Sequence, residues 1–227
     1  MKKIVLMQKL GIIDYLVAWR YQKKLLQYLL HKKNTTNPVG YLLFAEHFNV
    51  YTLGKSGNID HILLSNEHLY EMGIYFYNSD RGGDITYHGL GQLVVYPILD
   101  LEYFFTDLHK YLRMLEEVVI NLLAFYRLPC ERSPGETGVW LDVGKFFQRK
   151  ICSLGVRMSS WVMMHGLALN VNTDLQYFRN IIPCGILGKG VSSMQQELGN
   201  KISMEDIIEK FTFIFSDMFQ VQVHYLT

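Results

Sequence analysis

The chain has 227 residues, 49% of them hydrophobic and 19% charged, which is enough apolar material for a sizeable buried core and shows no bias toward disorder. Its 22 basic and 21 acidic residues leave a net charge of +1, without the basic excess a nucleic-acid binder needs. No apolar run approaches the length of a membrane span, and Met1 to Met7 resembles a signal peptide only until Gln8 and Lys9 interrupt it. The three cysteines, Cys130, Cys152 and Cys184, are odd in number and widely spaced, so free thiols in a reducing compartment are expected, with no paired zinc-ligand spacing. The expected location is the cytoplasm, with neither nucleic acid nor membrane as a partner.

In chain order, Ile4 to Gln8 reads as a first strand. Asp14 is placed to cap a helix reaching about His31, with Leu16, Trp19, Leu25, Leu26 and Leu29 supplying apolar surface. Asn34 to Pro38 is a polar turn, and Tyr41 to Ala45 and Val50 to Leu53 read as paired strands. Gly54-Lys55-Ser56 suggests a phosphate loop, but that motif needs a glycine five positions earlier, where Asn49 stands, so a nucleotide site is rejected. Ser65 to Met72 is a short helix stopped by Gly73. Thr106 is the expected cap of a long helix to about Tyr126, with Leu108, Leu112, Leu115, Val119 and Leu122 on one buried face. After a turn at Ser133-Pro134-Gly135, Gly138 to Leu141 and Lys150 to Val156 form a hairpin, and a third strand, Gly166 to Val171, follows Trp161 to His165. Asp174 to Ile181 is a short helix. Ser203 and Asp206 have cap and N3 spacing before a helix to about Phe219, and Val221 to Tyr225 is a closing strand. Strands mixed irregularly with three substantial helices predict an α+β, or mixed-sheet α/β, fold, with residues 1–227 as one domain.

The least ordinary stretch is Arg81-Gly82-Gly83-Asp84-Ile85-Thr86-Tyr87-His88-Gly89-Leu90-Gly91-Gln92. It stands between the strand-like Ile74 to Tyr77 and the apolar run Leu93 to Ile98, and its four glycines allow positive φ and close approach of backbone to a ligand. A tight bulged hairpin would also want glycine. Among the cysteines, Cys184 sits between Pro183 and Gly185, a turn that presents its side chain, whereas Cys130 and Cys152 lie in strand-like surroundings, where cysteine acts as a small hydrophobe. A cysteine becomes a nucleophile where a cation or base favours the thiolate. Lys150, Lys189, His88 and His165 are candidates for that role, and spacing does not choose among them.

Several blocks together resemble the lipoyl(octanoyl) transferases, also called lipoate-protein ligase B. They are Tyr51 to Gly54, Arg81 to Gly89, Gly91 to Val94 with Tyr96-Pro97, Gly138 to Trp140, Lys150 to Arg157, His165 to Val171 and Ile182 to Gly185. The resemblance implies a fold like the catalytic domain of biotin and lipoate ligases and an enzyme that moves an octanoyl group without a cofactor. The implied donor is octanoyl-acyl carrier protein, and the implied acceptors are the lysines of apo lipoyl domains of 2-oxoacid dehydrogenase complexes or of the glycine cleavage H protein. It further implies that Cys184 carries the acyl thioester with Lys150 as partner. Arg81, Gly82, Gly83, Asp84, Ile85, Thr86, Tyr87 and His88, with Ser153, Leu154 and Gly155 and with Gly166, Leu167 and Ala168, would line the acyl site. Backbone amides near Cys184 or the glycine loop would then serve the oxyanion. The chain departs from the pattern at Leu90, where the family has proline and a looser turn is expected, and at Asp142 to Arg149, a longer segment carrying a second lysine, Lys145. Two other readings keep the same residues. An ATP-dependent lipoate or biotin ligase would need no nucleophilic cysteine, and a non-catalytic acyl- or lipoyl-domain-binding module would tolerate loss of Cys184 and Lys150.

Overall fold

The computed structural model describes residues 3–32, 38–185 and 188–226. The turn expected at 34–38 lies outside these residues except for Pro38. Strand β1 (Lys3–Ile12) leads into helix α1 (Tyr15–His31), whose first turn is closed by Asp14 accepting the Val17 amide at 3.1 Å. There follow β2 (Gly40–Glu46), β3 (Val50–Leu53), α2 (Asn66–Glu71), β4 (Tyr75–Asn78), β5 (Thr86–His88), β6 (Gln92–Leu99) and α3 (Leu108–Phe125). The chain continues through β7 (Val139–Leu141), β8 (Arg149–Ser159), β9 (Val162–Asn170), β10 (Gly190–Val191), α4 (Met194–Leu198), α5 (Met204–Phe219) and β11 (Val221–Tyr225).

Seven strands run in the order β10-β8-β9-β6-β2-β1-β11, and β7 pairs with β8 to complete an eight-stranded sheet. The β1 pairings to β2 and β11 are parallel and the β2-β6-β9-β8 ladders antiparallel, so the sheet is mixed, as expected. Helices cover both faces, which is why β2 and β6 read as continuous apolar runs. The two-residue period of β2 divides its side chains. Leu42 and Phe44 pack with Leu115, Val119 and Leu122 of α3 and Phe211, Phe215 and Phe219 of α5, while Tyr41, Leu43 and Ala45 pack with Leu25, Leu26 and Leu29 of α1. No helix among the described residues is long and apolar enough to cross a membrane.

A second, three-stranded sheet, β4-β3-β5, corrects one expectation. Strands β2 and β3 are not partners: β2 bonds β1 and β6, while β3 bonds β4 and β5. The connection between them is diverted at His47, which is fully buried and bonded to the Ile13 carbonyl at 2.8 Å and to the Tyr96 hydroxyl at 2.6 Å. Part of the glycine-rich stretch is itself strand, β5, and the third strand of the β8 region begins at Val162, earlier than expected. The 174–181 segment is a 3-10 helix, Leu175–Asn180, capped by Asp174.

The cap of α3 also moves by one residue. Asp107, not Thr106, accepts the Lys110 amide, at 2.9 Å, because Asp107 holds the extended backbone that precedes the first helical turn. Asp107→Ala should therefore lower the unfolding free energy by about 1 kcal/mol in urea titration, and Thr106→Ala by much less. Equal losses would contradict the assignment.

Candidate active site

The small sheet carries the glycine-rich loop and presses it onto β8. The Gly82 amide donates to the Val156 carbonyl at 2.8 Å, and a Cβ at Gly155 would stand 2.8 Å from the Gly82 carbonyl oxygen, so β8 must be bare there. Gly83 has φ +84°, a turn that a side chain resists. The loop is held from inside by Arg81, which is only 8% exposed. Its Nη2 donates to the Thr52 carbonyl at 2.6 Å and the Asp84 carbonyl at 2.7 Å, and its Nη1 donates to the Gly82 carbonyl at 2.9 Å. Burial lowers the guanidinium pKa from its ordinary value, and the Cys184 thiol is among the groups whose charge opposes that shift.

Two histidines brace the site. The His88 Nδ1 bonds Gln92 Oε1 at 2.8 Å, and its Nε2 faces the Thr52 hydroxyl at 3.3 Å, which also accepts from Arg81. Because Gln92 Oε1 can only accept, the proton sits on Nδ1. Burial, then the like charges of His47 and Arg81, push the His88 pKa down to about 3. The His165 Nε2 bonds Asp80 at 2.7 Å, and its amide donates to the buried Gln22 of α1 at 2.9 Å. Burial holds the His165 pKa below the ordinary value despite Asp80. Burial works against ionisation of Asp80 too, but His165, Arg157 and Lys23 outweigh it and keep the carboxylate well below its usual range.

Between loop and large sheet, on the α1 side, lies a cavity of about 330 Å³. Arg81, Gly83, Asp84, Thr86 and His88 line it from the loop, and Ser153, Leu154, Gly155, Gly166, Leu167 and Ala168 from β8 and β9. Three residues expected in the lining are absent from it. Ile85 and Tyr87 alternate with Thr86 and His88 along β5 and turn into the core of the small sheet, where Tyr87 stacks on Tyr177 with ring centroids 5.0 Å apart. Gly82 is taken up by its bond to β8. Beyond the expected residues, Tyr15, Val94, Tyr96 and Gly135 to Thr137 also line the cavity. The Tyr96-Pro97 block and the turn at Ser133 to Gly135 pointed to the neighbourhood of most of these, but nothing local marked Tyr15, which stacks on His88 from the first turn of α1.

Cys184 also lines the cavity. Its amide donates to the Ile85 carbonyl at 3.0 Å, and its φ of +56° is uncommon for a residue with a side chain. The Lys150 ammonium is 3.1 Å from Cys184 Sγ and 4.5 Å from the Trp140 ring centroid, in a residue only 6% exposed. Of the four candidates left open by spacing, Lys150 alone has a contact to the thiol among the described residues. Lys189 bonds both carboxylate oxygens of Glu136 at 2.7 Å, His88 and His165 have the partners above, and Lys145 is spent on Asp142 at 2.7 Å. Burial pushes the Cys130 thiol up to about 12, with help from Glu117 and Glu131, and raises Cys152 as well. The amides of Gly82, Ile85, Cys184 and Gly185 are already donated within the protein, whereas the glycine-loop residues Gly83 and Asp84 line the cavity. The Thr86 hydroxyl is buried on the cavity wall without a partner among the described residues. The turn containing Leu90 is not loose: Gln92 donates to the Gly89 carbonyl at 3.2 Å and Gly91 to Glu46 at 2.7 Å, while Leu90 projects outward.

By fold the protein is a catalytic domain of the lipoate- and biotin-ligase type. The bipartite lipoate protein ligase of Thermoplasma acidophilum superposes with a TM-score of 0.72 at 19% identity, covering 100% of this chain and 88% of that one. A lipoate-protein ligase A bound with ATP gives 0.72 at 16%, covering 100% and 90%. At these identities the likeness concerns the fold alone. The sequence goes further: the lipoyl protein ligase A/B catalytic domain model matches residues 14–216. An octanoyltransferase of Christiangramia forsetii is 54% identical over 233 residues, covering 99% of this chain and 100% of the relative. One from Bacteroides fragilis is 50% identical over 200 residues, covering 88% and 90%. The chain belongs to the lipoyl protein ligase A/B catalytic domain family.

The buried histidines make stability depend on pH. His47 and His88 titrate at 6.5 when unperturbed, but burial lowers them to about 4 and about 3 in the folded protein. Below pH 6.5 the unfolded chain therefore binds protons that the folded chain refuses, and stability falls toward pH 4, by up to about 1.4 kcal/mol per pH unit for each histidine. His47→Gln should make this fall shallower by about one such increment in urea titrations between about pH 7 and about pH 4. An unchanged slope would mean that folded His47 accepts its proton normally.

Proposed function

We propose that the protein is an acyltransferase that moves an octanoyl group from a thioester donor, octanoyl-acyl carrier protein, through a Cys184 thioester to the lysine of an apo lipoyl domain, in protein lipoylation. One observation carries the reading: a buried ammonium lies 3.1 Å from a cysteine sulfur in the lining of a cavity walled by Leu154, Leu167, Ala168 and Val94. The cavity takes an apolar chain and leaves the polar groups to its reactive end.

In the first half-reaction Cys184 Sγ attacks the donor carbonyl, the bond from that carbon to the donor sulfur breaks, and the donor leaves as a thiol with the proton that Cys184 gave up. Lys150 stabilises the thiolate as a neighbouring cation. One thioester replaces another, so no ATP is consumed. In the second half-reaction the neutral acceptor amine attacks the Cys184 thioester, a C–N bond forms, the C–S bond breaks, and the amine proton passes by way of Lys150 to the departing sulfur. The Thr86 hydroxyl, one residue along from the carbonyl that holds the Cys184 amide, donates to the oxyanion in both steps.

The test is octanoyl transfer from octanoyl-acyl carrier protein to an apo lipoyl domain without ATP, followed by mass spectrometry of the acceptor. Cys184→Ala should abolish it, and Lys150→Met should slow it roughly 10²–10⁴-fold, the range for loss of a general acid or base. Lys145→Met should leave it unchanged. Transfer that requires ATP, or that survives Cys184→Ala, would point to an adenylating ligase instead.

A further inference from the structure

We infer that the polar groove behind the Cys184 turn binds the phosphopantetheine arm of the acyl donor, an inference that rests on the thioester exchange proposed above. The turn Pro183–Gly185 has two sides: Cys184 lines the acyl cavity, whereas Pro183 lines a separate groove of about 930 Å³ beside the 3-10 helix Leu175–Asn180 and α4. A gap of about 10 Å³ lies between the two spaces. It shares Lys150 and Ser153 with the cavity and Pro183 and Lys189 with the groove, so it borders both.

Two features of these spaces call for a ligand. Trp140 borders the gap, is 1% exposed, and has an indole N–H without an acceptor among the described residues. A buried donor left unpaired costs about 1–3 kcal/mol, so an acceptor brought by a ligand is worth that much. In the groove, the side chains of Gln176, Gln195 and Gln196 make no hydrogen bond among the described residues, and exposed Arg179 and Lys201 have no carboxylate partner there. Asp174, the acid in the lining, is occupied as a helix cap.

Free side-chain amides and two unpaired cations suit an extended arm with secondary amides and a phosphate at its far end. The cationic ammonium of an acceptor lysine would be repelled by the same surface. The chemistry agrees: acyl chain and arm leave the thioester carbonyl on opposite sides, and with the chain in the apolar cavity the groove that Pro183 lines is the polar surface on the other side of the Cys184 turn.

The experiment compares two octanoyl donors, octanoyl-phosphopantetheine and octanoyl-N-acetylcysteamine, whose truncated arm cannot reach the groove. Acylation of the wild type and of an Arg179→Glu/Lys201→Glu variant is followed by intact mass. Both changed residues are exposed, so folding is retained. The variant should show at least about a tenfold higher KM for octanoyl-phosphopantetheine, the equivalent of about 1.4 kcal/mol, with kcat retained and the truncated donor unaffected. No difference between the donors would overturn the groove assignment while leaving thioester exchange intact. In a parallel series with apo lipoyl domain added as acceptor, a KM raised for that domain and not for octanoyl-phosphopantetheine would overturn it in favour of the acceptor. Failure of the wild type to be acylated by either donor would remove the exchange reaction and the groove inference together.

Discussion

The site depends on one buried cation, Arg81, that has no carboxylate partner among the described residues. Taking a guanidinium out of water is costly unless its donors are satisfied, and Arg81 satisfies its donors with carbonyl and hydroxyl oxygens from Thr52, Gly82 and Asp84. Those acceptors belong to β3 and to the loop itself, so the same bonds that solvate the charge also fold the loop over the large sheet. A lysine could not reproduce this fork of donors. Because the charge is not neutralised by a carboxylate, it also contributes to the field at the cavity, where Cys184 lies within its electrostatic reach.

From Arg81 the constraint passes to Cys184 through two short links. Asp84 receives the Ile85 amide at 2.6 Å and bonds His61 at 2.6 Å, and the His61 carbonyl accepts the Ile182 amide at 2.8 Å. Ile85 then holds the Cys184 amide through its carbonyl. The cysteine is thereby kept at positive φ, a conformation that persists only where the surroundings over-determine it. On the other side, Lys150 is carried by a strand paired with both β7 and β10, and its carbonyl accepts the Ser192 amide at 2.9 Å. Thiol and ammonium thus meet from two independently braced elements, which is the preorganisation that acyl transfer requires.

Much of this was legible in the sequence where the physics is local. The caps at Asp14 and Ser203 and the apolar faces of α1 and α3 are decided by neighbours in the chain. The blocks around Arg81, Lys150 and Cys184 were recognisable as a family pattern, and the structure brings Lys150 and Cys184 together. What stayed hidden is non-local. The switch of sheet between β2 and β3 turns on His47 finding partners at Ile13 and Tyr96. Glu116 lies on the buried face of α3, where periodicity would place an apolar residue, yet it is fully buried and accepts the Gly138 amide at 2.9 Å, anchoring the approach to β7. The alternation that sends Ile85 and Tyr87 away from the cavity becomes visible only once β5 is known to be a strand.

The central claim is that the acyl group rests on Cys184 between donor and acceptor. The most direct measurement is a pulse–chase by intact mass: the protein is mixed with octanoyl-acyl carrier protein, freed of donor, mapped by peptide, and then given apo lipoyl domain. The account predicts a single hydroxylamine-labile octanoyl increment on the Cys184 peptide, with Cys130 and Cys152 bare, that disappears as an equal amount appears on the acceptor lysine. An increment on another residue, or one on Cys184 that the acceptor does not discharge, would contradict it.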